Sequence, residues 1–290
     1  MKNEGTTMEI GLQLYSVRSE LQKDYAGTLE KVASIGYRNL ELLTTVTGDG
    51  LIFGNDLLPA VHKHLLDRLG LKAIGCHVMI QEGMDWEKVI ASCLETGAEA
   101  LVIPFALFND RQGILDFCRI LNHAGELCRK GAVQLYYHNH FQEFQEIDGC
   151  MVMDLLLENL DSDLVKIEFD SYWALRGGQD PLEWIRKLGG RCDLLHQKDL
   201  PPGVNPVNLF DLFQQDPKLT MWDALATINA AQFAEIGSGV MNITDIIQAG
   251  RICGHARYII VEQDMTSLDE LESVTISFKN LSHLLVGSQA

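Results

Sequence analysis

Short apolar runs rich in β-branched and aromatic residues recur along the chain, and most of them end in polar side chains. Eight such runs predict strands: Glu9 to Tyr15, Asn39 to Leu43, Lys72 to Val78, Ala100 to Ile103, Val133 to Tyr137, Val165 to Phe169, Cys192 to Leu195 and Tyr258 to Val261. Segments of helical period alternate with them. Ala26 to Ile35 stops at Gly36, a second segment capped by Asp56 ends near Gly70, and a third runs from Asp85 to Glu95 before Gly97. Gly113 to Arg129, Cys150 to Asn159 and a segment opened by Asp180-Pro181 continue the rhythm. A helix capped by Asn242 or Thr244 and ending at Gly254, then one over Leu268 to Leu285, complete it. Residues 44–55 read as a Gly- and Thr-rich loop and residues 1–7 as a disordered leader. Residues 200–231, with Pro201, Pro202, Pro206 and Pro217, predict a long irregular loop over the barrel mouth.

Eight β–α pairs in order, with no linker or shift in composition, predict a single (β/α)8 barrel domain over residues 1–290. No GxGxxG follows the first strand and no GxxxxGK[ST] occurs, so the phosphate cradles of dinucleotide and P-loop proteins are missing.

In such a barrel the strand ends converge on one face, where catalytic groups gather. The stretch Tyr136-Tyr137-His138-Asn139-His140-Phe141-Gln142-Glu143 turns abruptly from apolar to polar, and Asp170, His196 and Glu262 stand at later strand ends. Glu143, Asp170, His196 and Glu262 would form an O3N set suited to one divalent ion, Mn, Mg, Co or Zn. The bland alternative is that each is a solvated rim charge, but carboxylates this crowded would suppress one another's ionisation without a cation among them. Alternation along a strand lets His138 and His140 face one space, either as a ligand in place of Glu143 or as a general base. Gln13, Glu41 and His77 fit either sugar-hydroxyl binding or a polar core. Trp173 fits either stacking on a sugar ring or plain packing. His62, His64, His123 and His255 read as solvated.

The formal charge of -17, from 40 acidic and 23 basic residues, disfavours nucleic acid and anionic membrane as partners. No apolar run reaches membrane length and no segment has signal-peptide order, so a cytoplasmic enzyme is the expectation. The seven cysteines are odd in number and lack CxxC spacing, which reads as free thiols in a reducing compartment.

Six stretches together resemble the sugar phosphate isomerase/epimerase group of xylose-isomerase-like TIM barrels. They are Gly11-Leu12-Gln13-Leu14-Tyr15-Ser16, the segment from Tyr136 to Phe144, Glu168-Phe169-Asp170-Ser171-Tyr172-Trp173, Leu195-His196-Gln197-Lys198-Asp199, Glu235-Ile236-Gly237-Ser238-Gly239 and Val261-Glu262-Gln263-Asp264. The resemblance covers nearly the whole chain, and the group includes ketose 3-epimerases, hydroxypyruvate isomerase, inosose dehydratase, endonuclease IV and the metal subunit of enzymes that cleave 3-oxo-glycosides. It implies a Glu, Asp, His, Glu metal set, matched by Asp170, His196 and Glu262, with Glu143 or His138 in the first place. Trp173 stands where epimerases carry a histidine, which argues against simple ketose 3-epimerisation.

The expected function is a metal-dependent isomerase or epimerase acting on a sugar, oxo-sugar or cyclitol by α-proton abstraction, with His138 or His140 as base and Lys198 assisting. A lyase or dehydratase would share that first step. A metal-dependent hydrolase and a non-catalytic sugar-binding or partner subunit are the readings of another class. The implied partners are a small carbohydrate and either a homo-oligomer or a small accessory subunit.

Overall fold

The computed structural model describes residues 8–54 and 56–287, so the leader expected at 1–7 lies outside it. The apolar runs form strands β1 (Glu9–Gln13), β2 (Asn39–Thr47), β3 (Lys72–His77), β4 (Ala100–Ile103), β5 (Gln134–His138), β6 (Val165–Asp170), β7 (Leu194–Gln197) and β8 (Tyr258–Val261). Each pairs in parallel with the next, and β8 returns to β1, closing an eight-stranded barrel.

Alternation along the strands sorts the side chains into two cores. Leu12, Leu40, Leu101, Leu135, Tyr137, Ile167, Leu195 and Ile259 belong to the large outer core shared with the helices. Ile74, Ala100, Val102, Tyr136, Leu194, Tyr258 and Ile260 form a separate apolar plug inside the barrel. Above that plug the inward positions become polar, so the interior has an apolar base and an ionisable upper tier. Each fully buried Leu or Ile contributes about 1.5–3 kcal/mol relative to exposure, and these two cores hold the polar tier rigid.

The surrounding helices are α1 (Tyr25–Ile35), α2 (Pro59–Leu69), α3 (Trp86–Glu95), α4 (Arg111–Lys130), α5 (Val152–Asn159), α6 (Pro181–Leu188), α7 (Ile243–Ala249) and α8 (Glu270–Gly287). Asp24, Asp85, Asp110, Asp180 and Asn242 cap the starts of α1, α3, α4, α6 and α7 with side-chain oxygens.

Three local expectations fail. Most of the expected loop at 44–55 is a hairpin: Thr44 to Thr47 extend β2 and pair antiparallel with Gly50–Phe53. The β-branched run and the intervening Gly48-Asp49 favour a hairpin there. Asp56 does not cap α2. Its φ is +60°, Leu58 is the cap position, and Pro59, whose ring fixes a helical φ, opens the helix. Residues 200–231 are not structureless, since they contain helices Asp211–Gln215 and Met221–Ala226. Thr220 and Asp223 form a reciprocal capping box at the start of the second.

This covering segment is tied to the barrel by buried polar groups from the short helix Ser171–Arg176. Arg176 donates to the Val207 carbonyl at 2.9 Å, to the Tyr172 hydroxyl at 2.8 Å and to the Gln232 side chain at 3.1 Å. Just past β7, the Asp199 carboxylate accepts the backbone N–H groups of Gly237, Gly239 and Met241. A Cβ on Gly239 would meet the Leu200 carbonyl at 2.4 Å. The Gly237-Ser238-Gly239 stretch therefore anchors a loop on Asp199.

Candidate metal centre and active site

Strands β5, β6 and β7 and the end of β8 bring His138, Asp170, His196 and Glu262 together. One potential ligand atom of each lies within 4.8 Å of every other, and all four side chains are buried. Atoms bound to one zinc at about 2.0–2.2 Å stand at most about 4.4 Å apart, so this gathering is close to coordination spacing. The donor set is two imidazoles and two carboxylates, a combination that suits zinc and other borderline divalent ions.

Glu143 is not in this set. Its carboxylate accepts the Tyr137 hydroxyl and, at 2.8 Å, the His140 backbone N–H. Tyr137 belongs to the outer core, so Glu143 is held behind the wall of the barrel. The residue lies beyond β5 in the tight turn Gln142–Phe144, where strand alternation no longer governs direction. Burial raises its carboxyl to about 7, against the two hydrogen bonds. His138, inward on β5, occupies the position expected of Glu143.

A second tier lies deeper. Glu41, His77, Glu168 and His196 also bring ligand atoms within 4.8 Å of one another. His196 joins the tiers: its Nδ1 is 3.0 Å from Glu262 Oε2 and its Nε2 is 2.6 Å from Glu41 Oε2. Gln13 donates to that Glu41 oxygen at 2.7 Å. A Cβ on Gly75 would stand 3.1 Å from Glu41 Oε1, so the glycine leaves room for this carboxylate. Glu168 Oε2 lies 3.3 Å from His77, 3.3 Å from His138 and 3.2 Å from His196. Gln13 and Glu41 are thus sealed polar-core groups, whereas His77 reaches the cavity above.

Charge is divided unevenly among these groups. Burial works against ionisation of Glu41, but His77 and His196 outweigh it and hold its carboxyl well below the ordinary range. Burial and the neighbouring Glu41 push Glu168 well above it. Burial opposes the His196 cation, yet Glu168, Glu41 and Glu262 raise the imidazole to about 10. Burial holds His138 well below an ordinary imidazole and lowers His140 to about 3, with the Lys198 cation adding to the effect on His140. Both are therefore neutral at pH 7, able to bind a metal or take a proton.

Lys198 carries a fixed positive charge. Burial disfavours it, but Asp170, Asp264 and Glu262 raise its ammonium well above the usual lysine value. Its Nζ bonds Asp170 Oδ2 at 2.6 Å and Glu262 Oε2, and lies 3.6 Å from Asp264 Oδ1. The chain thus supplies part of the cation that its crowded carboxylates demand, and it does so between two members of the candidate ligand set.

Above the set opens a cavity of about 460 Å³. His77, His138, His140, Trp173, Glu262 and Asp264 line its polar end. Trp173 shows the packing that was one of its two expected roles. It packs on Tyr172 and Phe141, and it presents part of its surface to the cavity beside His140, at 5.3 Å between ring centres. Sequence reasoning missed Glu168 and Asp264, each two residues from a residue it had singled out and so on the same face of its strand or strand extension. His62 was expected in solvent but is fully buried, held by Tyr25 Oη at 2.8 Å and Thr96 Oγ1 at 3.1 Å and stacked on Phe53. His64, His123 and His255 are exposed as expected, and the seven cysteines are free. No helix among the described residues is long and apolar enough to cross a membrane.

No family model matches the chain. An inosose dehydratase from Geobacillus kaustophilus is 31% identical over 80 residues, 28% of this chain and 25% of that protein. The chain thus spans about a quarter of that relative's length in the match. A sugar phosphate isomerase/epimerase from Parabacteroides distasonis superimposes with a TM-score of 0.75 at 26% identity, covering 97% of this chain and 95% of that one. The zinc-bound IOLI protein superimposes with a TM-score of 0.68 at 13% identity, covering 97% and 99%. The chain therefore has the closed barrel of the sugar phosphate isomerase/epimerase and xylose isomerase-like proteins.

Proposed function

We propose that the protein is a divalent-metal-dependent enzyme that removes a proton next to the carbonyl of a cyclitol or oxo-sugar, with loss of water as the net reaction. The observation that carries this reading is the convergence of His138, Asp170, His196 and Glu262 from four successive strands, directly beneath a cavity walled by His140. The name of the sequence relative, an inosose dehydratase, supports elimination over isomerisation.

His138, Asp170, His196 and Glu262 would hold the ion. When bound there, a divalent ion supplies Lewis-acid polarisation of a substrate carbonyl, which lowers the cost of an adjacent carbanion by several kcal/mol. Glu41 accepts from His196 Nε2, and an ion bound here would displace the His196 Nδ1 proton that faces Glu262. With His138 in the ligand set, His140 is the base. Its imidazole is neutral, and Glu143 fixes its backbone through the His140 N–H. The α C–H bond breaks toward His140 and the electron pair passes into the new C=C bond as the β C–O bond breaks. The departing oxygen takes the proton that His140 has just accepted and leaves as water, which returns His140 to its neutral form. Lys198, beside Asp170 and Glu262, offsets negative charge that develops at this end of the cavity.

The test is turnover of an inosose carrying deuterium at the α-carbon by Mn-loaded protein. An isotope effect well above unity, lost on chelation and in His140→Asn, is expected. A value near unity in a chemistry-limited assay refutes proton abstraction and favours a hydrolase.

A further inference from the structure

The inner tier of the barrel is built like a ligand set of its own. Glu41, His77, Glu168 and His196 come from β2, β3, β6 and β7 and bring one donor atom each within 4.8 Å of the others. His196 Nε2 lies 2.6 Å from Glu41 Oε2 and 3.2 Å from Glu168 Oε2. His77 Nε2 lies 2.8 Å and 3.3 Å from the same two oxygens. Donors bound to one tetrahedral zinc at about 2.0–2.2 Å stand about 3.3–3.6 Å apart. The two Glu168 contacts are already near that spacing. The two Glu41 contacts need to open by about 0.5–1 Å, as happens when hydrogen bonds give way to coordination.

Hydrogen bonding alone leaves this tier incomplete. Glu41 Oε2 takes the closer contact of both imidazoles and the Gln13 amide at 2.7 Å. Glu168 is left with their longer contacts. Glu41 Oε1 and Glu168 Oε1 are buried and have no hydrogen-bond partner among the described residues. Each belongs to the same carboxylate as a donor of the set, so one ion there serves both oxygens. Two carboxylates with orphaned oxygens in a dry interior call for a cation. Lys198, the buried cation of the upper tier, is committed to Asp170 and Glu262 instead. A Cβ on Gly75 would stand 3.1 Å from Glu41 Oε1, so the glycine keeps bulk away from this group. Of the four side chains, His77 alone lines the cavity above and marks the way in.

We propose that Glu41, His77, Glu168 and His196 hold a second divalent ion, a closed zinc site beneath the set already described. Four ligands sealed from solvent are the form of a structural zinc, whereas the upper set opens on a cavity as a catalytic site does. His196 belongs to both sets, with Nδ1 toward Glu262 and Nε2 toward Glu41. With both ions bound it bridges them as an imidazolate, and its two ring protons pass to solvent. Two divalent ions and the Lys198 ammonium then balance the four carboxylates of the two sets and that imidazolate. The inner ion ties β2, β3, β6 and β7 together and fixes the His196 ring. This second site goes beyond the function proposed above and shares only His196 with it.

The experiment counts zinc and manganese per chain by mass spectrometry on the full-length protein. Protein produced with added zinc is dialysed against a chelator and then against Mn. The parent should keep one zinc and take up one Mn. His77→Asn and Glu41→Gln should each lose the zinc and keep Mn, whereas Asp170→Asn should keep the zinc and lose Mn. Zinc-edge X-ray absorption on Asp170→Asn needs no inner variant to fold. It should show four nitrogen or oxygen ligands at about 2.0–2.2 Å, two of them imidazoles. A parent that binds no more than one ion per chain, zinc and Mn together, overturns the proposal and leaves the tier as a hydrogen-bonded support for His196. Zinc lost in Asp170→Asn but kept in both inner variants places it in the upper set and also overturns it. So does a five- or six-coordinate zinc, or one with fewer than two imidazoles. Mn binding absent from the parent, with zinc present and lost only in the inner variants, strikes the functional reading alone. Mn bound and zinc absent strikes the second site alone.

Discussion

Lys198→Met offers a sharp test because it should weaken the metal-free fold and strengthen metal binding at once. The Lys198 ammonium is fully buried and bridges Asp170 and Glu262, two of the four proposed ligands. Methionine keeps an apolar stem of similar length but removes the charge, which stands 5.6 Å from the centre of the Trp173 ring. Breaking a buried ion pair from one side costs about 3–5 kcal/mol, because the carboxylates left behind stay desolvated. In metal-free protein the variant should lose stability on that scale. A divalent ion would then meet two carboxylates with no competing cation between them. Two unit charges about 4 Å apart interact by roughly 4 kcal/mol at an effective dielectric constant near 20, so even partial relief of that competition exceeds a tenfold gain in affinity. Ligand binding to the native state alone stabilises by about 2.7 kcal/mol at one hundred times Kd, so Mn should restore most of the loss. The assay is urea unfolding of both proteins, with and without Mn, with Mn affinity from chelator competition. Equal stabilisation of parent and variant by Mn, or weaker Mn binding in the variant, would show that the ammonium and the metal do not share a site.

His138→Asn should lose bound metal, whereas His140→Asn should keep it and lose turnover. Metal analysis beside an activity assay separates the two, and the reverse pattern would exchange their roles. Glu143→Ala should hold metal with affinity within about twofold of the parent, yet lose about 1–3 kcal/mol in urea unfolding, because Tyr137 and the His140 N–H are left without an acceptor. A sharp fall in metal affinity would return Glu143 to the ligand set. Burial lowers the His62 imidazole from its ordinary 6.5 to about 4, so between those values the unfolded chain binds more protons and the fold loses stability as pH falls. The loss should reach about 3 kcal/mol near pH 4, and His62→Gln should flatten that part of the profile; parallel profiles would refute it.

The barrel was legible because its strands are short apolar runs with turn signals between them, and the helix caps Asp85, Asp180 and Asn242 carry ordinary capping chemistry. Asp170, His196 and Glu262 were legible for the same reason: each sits at a strand end, where period-two alternation still holds. Glu143 was misplaced because it lies past that point, where the turn Gln142–Phe144 sets its direction. Glu168 was hidden by its place within an apolar strand, although two-residue spacing puts it on the same face as Asp170. The two-tier arrangement around His196 was not legible at all, since it depends on Glu41 crossing the barrel interior from β2 to reach β7. The burial of His62 was not legible because it depends on Tyr25 of α1, Phe53 of the hairpin strand and Thr96, which are distant in sequence. The helices over the mouth were missed although Thr220 and Asp223 stand at capping-box spacing, because the prolines around them drew the reading toward a loop.

One divalent ion, on the proposed function, sits between two imidazoles and two carboxylates. Electron spin-echo envelope modulation on Mn-loaded protein, prepared with 15N-labelled histidine, counts directly coordinated imidazole nitrogens. Two are predicted, from His138 and His196, falling to one in His138→Asn if that variant retains any Mn. One coordinated imidazole in the parent would put a carboxylate such as Glu143 in the place given to His138, and none would contradict the site altogether.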